Sequence, residues 1–246
     1  MSLALLVAAQ APAASLSPQT FVDATNQAVG DIAALAGLGA DLHAYEAARP
    51  YSSLGGFDLG LSATAIAIPG SATNALTVLG ITNIPHYIPI PKINFQKAIT
   101  KRILIGTEFI PNIKIQGNKI SMYGVDAQWT AIDRPGLPPI AIRGQFNYTN
   151  LAFVSATTYG GDVLTSWQLP LINIYGGGGY RFVNANITNP TTSIPTLPGV
   201  RLDATLDAGH MFSGATFTVG PARFTAEADL TTRGVNTYGT KISFYF

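Results

Sequence analysis

Three histidines, His43, His86 and His210, are the only side chains here that change charge near neutral pH unaided, and cysteine is absent. Without thiols there is no disulfide, no thiolate nucleophile and no thiolate metal site. Acyl chemistry would need a Ser or Thr hydroxyl beside a histidine base. His43 lies ahead of the strand-like part of the chain, and His86 lies in a Pro-rich stretch. His210 has Ser213 nearby, but alternation with Leu206 and Ala208 puts it on an apolar face, where a lone histidine commonly serves as an amphipathic residue. Three scattered histidines lack metal-ligand spacing. Gly176–Gly179 lacks the Lys-Ser/Thr of a phosphate loop and sits inside a strand pattern, where glycines admit a bend or another segment's close approach. The expectation is therefore no enzyme, no metal and no cofactor.

The remaining chemistry is charge. Asp58, Arg102, Glu108, Asp126, Arg143, Arg181, Arg201, Asp203, Asp207, Arg223, Glu227, Asp229 and Lys241 each fall on the polar side of an alternating stretch. Both signs occur and nearly balance. Opposite charges held together in a confined space should pair, because an unpaired buried charge is costly. Two outcomes stay open: an ion-paired core that is purely structural, or a narrow polar conduit or ligand pocket.

The elements that position these charges are strands. Hydrophobic residues make up 47% of the 246, and only 11% are charged, against about 25% in ordinary soluble domains. Yet no apolar run approaches the roughly 20 residues of a spanning helix. Period-2 alternation begins at Leu54, where Phe57, Leu59, Leu61 and Ala63 oppose Asp58, Gly60, Ser62 and Thr64. Further alternating stretches follow at 92–97, 102–110, 119–129, 140–149, 161–172 and 174–186, the last pair turning at Ile172-Asn173. Beyond a Pro/Thr-rich loop at 187–199, Leu202, Ala204, Leu206 and Ala208 oppose Arg201, Asp203, Thr205 and Asp207. The next turn falls at Gly220-Pro221, with Ser213-Gly214 as a bulge before it. Phe224 to Leu230 and a closing stretch complete about ten strands, within two either way.

That closing stretch, NTYGTKISFYF, places Tyr238, Thr240, Ile242, Phe244 and Phe246 on one face. An apolar alternation ending in Phe resembles the closing strand and sorting signal of bacterial outer-membrane β-barrels, with Tyr238, Ile242, Phe244 and Phe246 as the signal. The resemblance implies an all-β fold: an antiparallel, up-and-down transmembrane barrel over 54–246 in the bacterial outer membrane. Its partners would be membrane lipid and, through the last strand, the barrel-assembly machinery, with an envelope protein as a further candidate. Net charge near +1 gives no footprint for nucleic acid. The run into LGGFDLGLSATAIAIP also resembles poorly characterised Gram-negative barrel families. More loosely it is similar to the fatty-acid-transporter type, where a segment before the first strand plugs the lumen. That type has more strands than this chain supplies, and no functional residue transfers.

Two features turn the apolar face towards lipid. The polar face is Gly, Ser, Thr, Asn and Gln with isolated charges, unlike a soluble surface. The apolar face carries aromatics near strand ends (Trp129, Tyr148, Trp167, Tyr180, Tyr238, Phe246), as interfacial girdles do. With both termini of the barrel on one side, connections 69–91, 111–118, 153–160, 187–199 and 231–235 share the opposite side, which should be external. Residues 1–14 read as a secretory signal, with an apolar core and a small-residue exit. Residues 15–53 read as a helical segment, opened by Ser17-Pro18, that lies in the periplasm or plugs the lumen. The expected role is a narrow channel or passive carrier of small solutes or apolar ligands. The alternative is a non-conducting structural or interaction barrel whose external loops bind a partner or envelope assembly.

Overall fold

Alternation at period 2 gives each strand two faces of different solubility, and ten such strands close on themselves in the computed structural model. It describes residues 18–49, 56–78, 84–115, 118–151, 154–187 and 203–246. The signal over 1–14, Ser17, Arg201 and the loop from 188 to 199 lie outside the described residues. The strands are β1 (Phe57–Ala67), β2 (Tyr87–Ala98), β3 (Ile103–Ile115), β4 (Asn118–Ile132), β5 (Ile140–Leu151), β6 (Val154–Gln168), β7 (Ile172–Ile187), β8 (Asp203–Val219), β9 (Ala222–Thr231) and β10 (Thr237–Tyr245). Each pairs antiparallel with the next, and β1 pairs with β10 from Asp58↔Tyr245 to Ile66↔Thr237. Phe57 and Phe246 exchange backbone hydrogen bonds of 3.0 and 2.9 Å at the foot of that seam. Closure leaves no open edge.

One end carries tight turns, at 99–102, 133–139, 169–171 and 220–221. Gly136 and Gly220 take φ of +80° and +57° there, which favours glycine. The other end carries the longer β1–β2 and β7–β8 connections, the first containing a helix, α2 (Gly70–Val78). A second helix, α1 (Pro18–Gly39), precedes the barrel in sequence and lies inside it.

Several boundaries differ from the sequence reading. The stretch 69–91 is not all loop: Tyr87–Pro91 already belongs to β2, opposite β1. Pro89 and Pro91 are tolerated because this part of β2 lies beyond the pairs it makes with β3, which begin at Ile93↔Phe109. The β6–β7 turn is 169–171 rather than Ile172-Asn173. Residues 111–115 and 154–160 are strand, so those connections are shorter than expected. Ser213 and Gly214 run straight through β8 in unbroken register with both neighbours, so no bulge exists there.

The outer surface is apolar between two aromatic rows. Phe57 stacks on Phe246 at 5.2 Å near the turn end, level with Phe95, Trp129 and Trp167. Tyr87 meets Tyr238, and Tyr123 stacks on Tyr148, nearer the loop end. On β4, Tyr123 and Trp129 are six residues apart, about 20 Å along the strand. Consecutive residues show how sharp the sidedness is: Lys241 is 1% exposed and Ile242 is 54% exposed. Among the described residues no helix is long and apolar enough to cross a membrane. This belt does so instead, and the chain is a transmembrane β-barrel.

Candidate functional site

Among the described residues, the inward faces and the segment they enclose form the one region with concentrated chemistry. Its upper part, towards the loop end, is apolar. Small residues let α1 lie close to the wall: Ala33, Ala34, Ala36 and Leu38 are buried against Val154, Ala156, Val183, Ala185 and Leu206. A side chain on Gly37 would collide with the Val183 methyls, so helix and wall meet there only because Gly37 has none. Thr158 donates a 3.1 Å bond to the Gly37 carbonyl at the lower edge of this zone.

Below Gly39 the chain extends into a strap, residues 40–49, running towards the turn end. It has no strand partner, so its backbone groups must bond to wall side chains. They do. Its carbonyls at Ala40, Asp41, His43, Ala44, Ala47 and Ala48 accept from Asn147, Lys92, Arg143, Gln96, Gln128 and Thr130 respectively. The Glu227 carboxylate is the main acceptor in return. It takes the Ala44 and Tyr45 backbone N–H groups at 3.1 and 2.9 Å and the Tyr175 hydroxyl at 2.7 Å, and His43 Nδ1 lies 2.9 Å away. Tyr45 holds φ of +46°, a left-handed conformation that helps aim consecutive N–H groups at one anion. Gly239 leaves the room its ring needs.

Charges fill what remains. Asp162 receives Arg181 at 2.6 Å and Arg143 at 3.4 Å, and His210 Nε2 lies 2.9 Å away. Arg143 also donates to Asp126 at 3.2 Å, and Arg181 to Asp41 of the strap at 2.6 Å. Arg223 bridges Glu46 of the strap (2.9 Å) and Asp58 (3.3 Å), while Lys241 donates to Asp58 at 3.0 Å and Lys92 to Glu108 at 3.2 Å. At the strap's lower end Arg49 pairs with Asp133 in the β4–β5 turn. No cation in this set stands alone. A charge out of water is tolerated only in such company.

The structure gathers Asp58, Glu108, Asp126, Arg143, Arg181, Arg223, Glu227, Asp229 and Lys241 inside. Three residues expected there are elsewhere. Arg102 is exposed in the β2–β3 turn, one residue before its strand begins. Asp207 is exposed on the outer wall of β8, beside the Tyr180 hydroxyl and Arg233, and Asp203 is likewise outside. His210 shows the same inversion: it points inward, with Asp229 2.9 Å from its other ring nitrogen. Both nitrogens are thus committed to carboxylates. The cause is the environment of upper β8. There α1 makes the inside apolar, and the outside stands above the aromatic belt, so Leu206 and Ala208 turn in and Asp203, Thr205 and Asp207 turn out.

Sequence reasoning missed Asp41, His43 and Glu46 as wall partners, because nothing in a one-dimensional pattern places the strap in the lumen. It also missed Lys92 and Asp162. Asp162 was findable: it shares a face with Ser166, opposite Val163 and Trp167, within the stretch already read as a strand. Of the glycine run, Gly177 makes room for the Phe212 ring and Gly179 for Asp162, both on neighbouring strands, rather than for the plug. Tyr238, Ile242, Phe244 and Phe246 all lie exposed in one outward row beside the seam. Among the described residues no three side chains converge as metal ligands.

No family model and no curated protein matches the sequence. Among solved structures the barrel is similar to the N-terminal β-barrel domain of Pseudomonas aeruginosa OprF, at 10% identity over 77% of this chain and 97% of that one, with a TM-score of 0.37. It is also similar to Ail, the attachment invasion locus protein of Yersinia pestis, at 8% identity over 78% and 99% of the two chains, with a TM-score of 0.33. The Acinetobacter baumannii outer membrane protein Omp33 matches at 10% identity over 79% and 100%, with a TM-score of 0.34. At these values nothing those proteins bind carries over.

Proposed function

We propose that this bacterial outer-membrane barrel works closed, as a non-conducting structural or interaction barrel whose loop end is its working face. The observation that carries this is the strap. Its carbonyls are taken by wall side chains and its charged residues Asp41, Glu46 and Arg49 are paired to the wall. A channel or passive carrier would need that segment to leave. Departure would strand Arg181 and Arg223 without their strap carboxylates and Glu227 without its backbone donors, inside a narrow barrel. The loop end, by contrast, has a wall of outward polar residues, Asn184, Asn186, Asp203 and Thr205, standing above the belt. Such a surface meets water and macromolecules rather than lipid.

Reconstitution in a planar bilayer tests the proposal. The full-length protein is expected to insert without discrete current steps across the usual voltage range. Reproducible unitary steps from the intact protein would overturn it and favour the narrow channel.

A further inference from the structure

The strap and α1 have a direction. Gln27, Gly30, Asp31 and Ala34 of α1 share an open cavity of about 300 Å³ with Pro69, Leu206 and Arg233, all at the loop end. Gly37 lies against Val183 and Thr158 further in. Tyr45 and Glu46 reach Glu227 and Arg223 lower still, and Arg49 ends at Asp133 in a turn of the opposite end. The chain then returns to β1, which starts at Phe57 on that same turn end. Residues 18–49 therefore traverse the barrel from loop end to turn end before the first strand begins.

We infer that the chain is threaded through its own barrel, so that the N-terminal part of α1 is held at the cell surface. This rests on the reading above that the loop end faces outward. The seam explains why the thread is retained. With β1 and β10 paired over their length, the closed wall has no lateral exit. The strap's bonds to β2, β4, β5, β6, β7 and β9 resist sliding along the axis. The segment must be in place when the seam closes, and it stays in place as a fixed tether between the outer face and the first strand. The barrel is thereby sealed by its own N-terminal segment.

The absence of cysteine makes the test clean. Single-cysteine variants Gln27→Cys on α1, Thr232→Cys in the β9–β10 connection and Arg134→Cys in the β4–β5 turn all alter exposed positions. Intact cells are treated with a membrane-impermeant maleimide, and lysed cells in parallel. Gln27→Cys and Thr232→Cys are expected to label in intact cells to the extent seen after lysis, while Arg134→Cys labelling is lost in intact cells and restored by lysis. Should Gln27→Cys impair folding, Asp23→Cys, exposed one turn earlier, replaces it with the same expectation. If Thr232→Cys labels in intact cells but the α1 cysteine only after lysis, threading to the surface is overturned while the barrel's orientation stands. If Arg134→Cys alone labels in intact cells, the orientation itself fails, and the inference with it.

Discussion

Along β8, Met211 and Phe217 face lipid while Thr216 faces the lumen; further up, Asp203 faces outward and Leu206 inward. Neighbouring strands repeat the exchange. On β7, Tyr180 and Phe182 are outside with Arg181 inside, then Asn184 and Asn186 are outside with Val183 and Ala185 inside. On β6, Val163 and Trp167 are outside with Asp162 within, whereas at the top Ser155 and Thr157 are outside and Val154 and Ala156 inside. The lower barrel is thus a membrane protein, apolar outside and ion-paired inside. The upper rim on this side is built like a soluble one, with a polar surface over an apolar core whose centre is α1. The comparison teaches that a reversal in alternation can come from a change of surroundings on both faces at once. A bulge is the other way to produce it, and register decides between them.

Three tests break or sharpen this contrast. The largest effect belongs to the ion-paired lower lumen. Arg143→Ala removes the cation beside Asp126 and one of those at Asp162, and should cost about 3–5 kcal/mol in equilibrium unfolding. A loss within the 0–1 kcal/mol of a solvated pair would mean that water fills this zone.

Next is the outer wall, where the two zones should part most plainly. Leu61, 67% exposed midway down β1, faces hydrocarbon, and Leu61→Arg is expected to cost about 2–4 kcal/mol. Asp203→Arg, outward on the upper rim, should change stability by no more than about 0.5 kcal/mol, as a surface change does. Equal penalties measured in the same lipid would erase the boundary between the zones.

The third test concerns the fit of α1. Gly37→Ala drives a methyl into Val183 and should cost about 1–3 kcal/mol, as overpacking does. Adding Val183→Ala should recover part of that loss. A double mutant no better than the sum of its parts would show that helix and wall do not meet there.

Much of the barrel was legible in one dimension because its cause is local. A strand between lipid and a polar lumen must alternate, so Lys241 beside Ile242, or Arg143 beside Ile142, reads directly as inside and outside. Turn chemistry was equally local: Gly220-Pro221 closes β8 onto β9 with a glycine at positive φ. The outward row from Tyr238 to Phe246 and the one-to-one order of ten strands follow from the same rule. What tertiary structure alone decided was the content of the lumen. Asp41, His43 and Glu46 sit in a segment without periodicity, and their partners lie on strands far along the chain, at Arg181, Glu227 and Arg223. Nothing local specifies those pairings, since they exist only once the wall has closed around the strap. Once α1 occupied the upper lumen, the inward side there had to be apolar, and that reversed the facing of Asp207 and His210 against their apparent pattern.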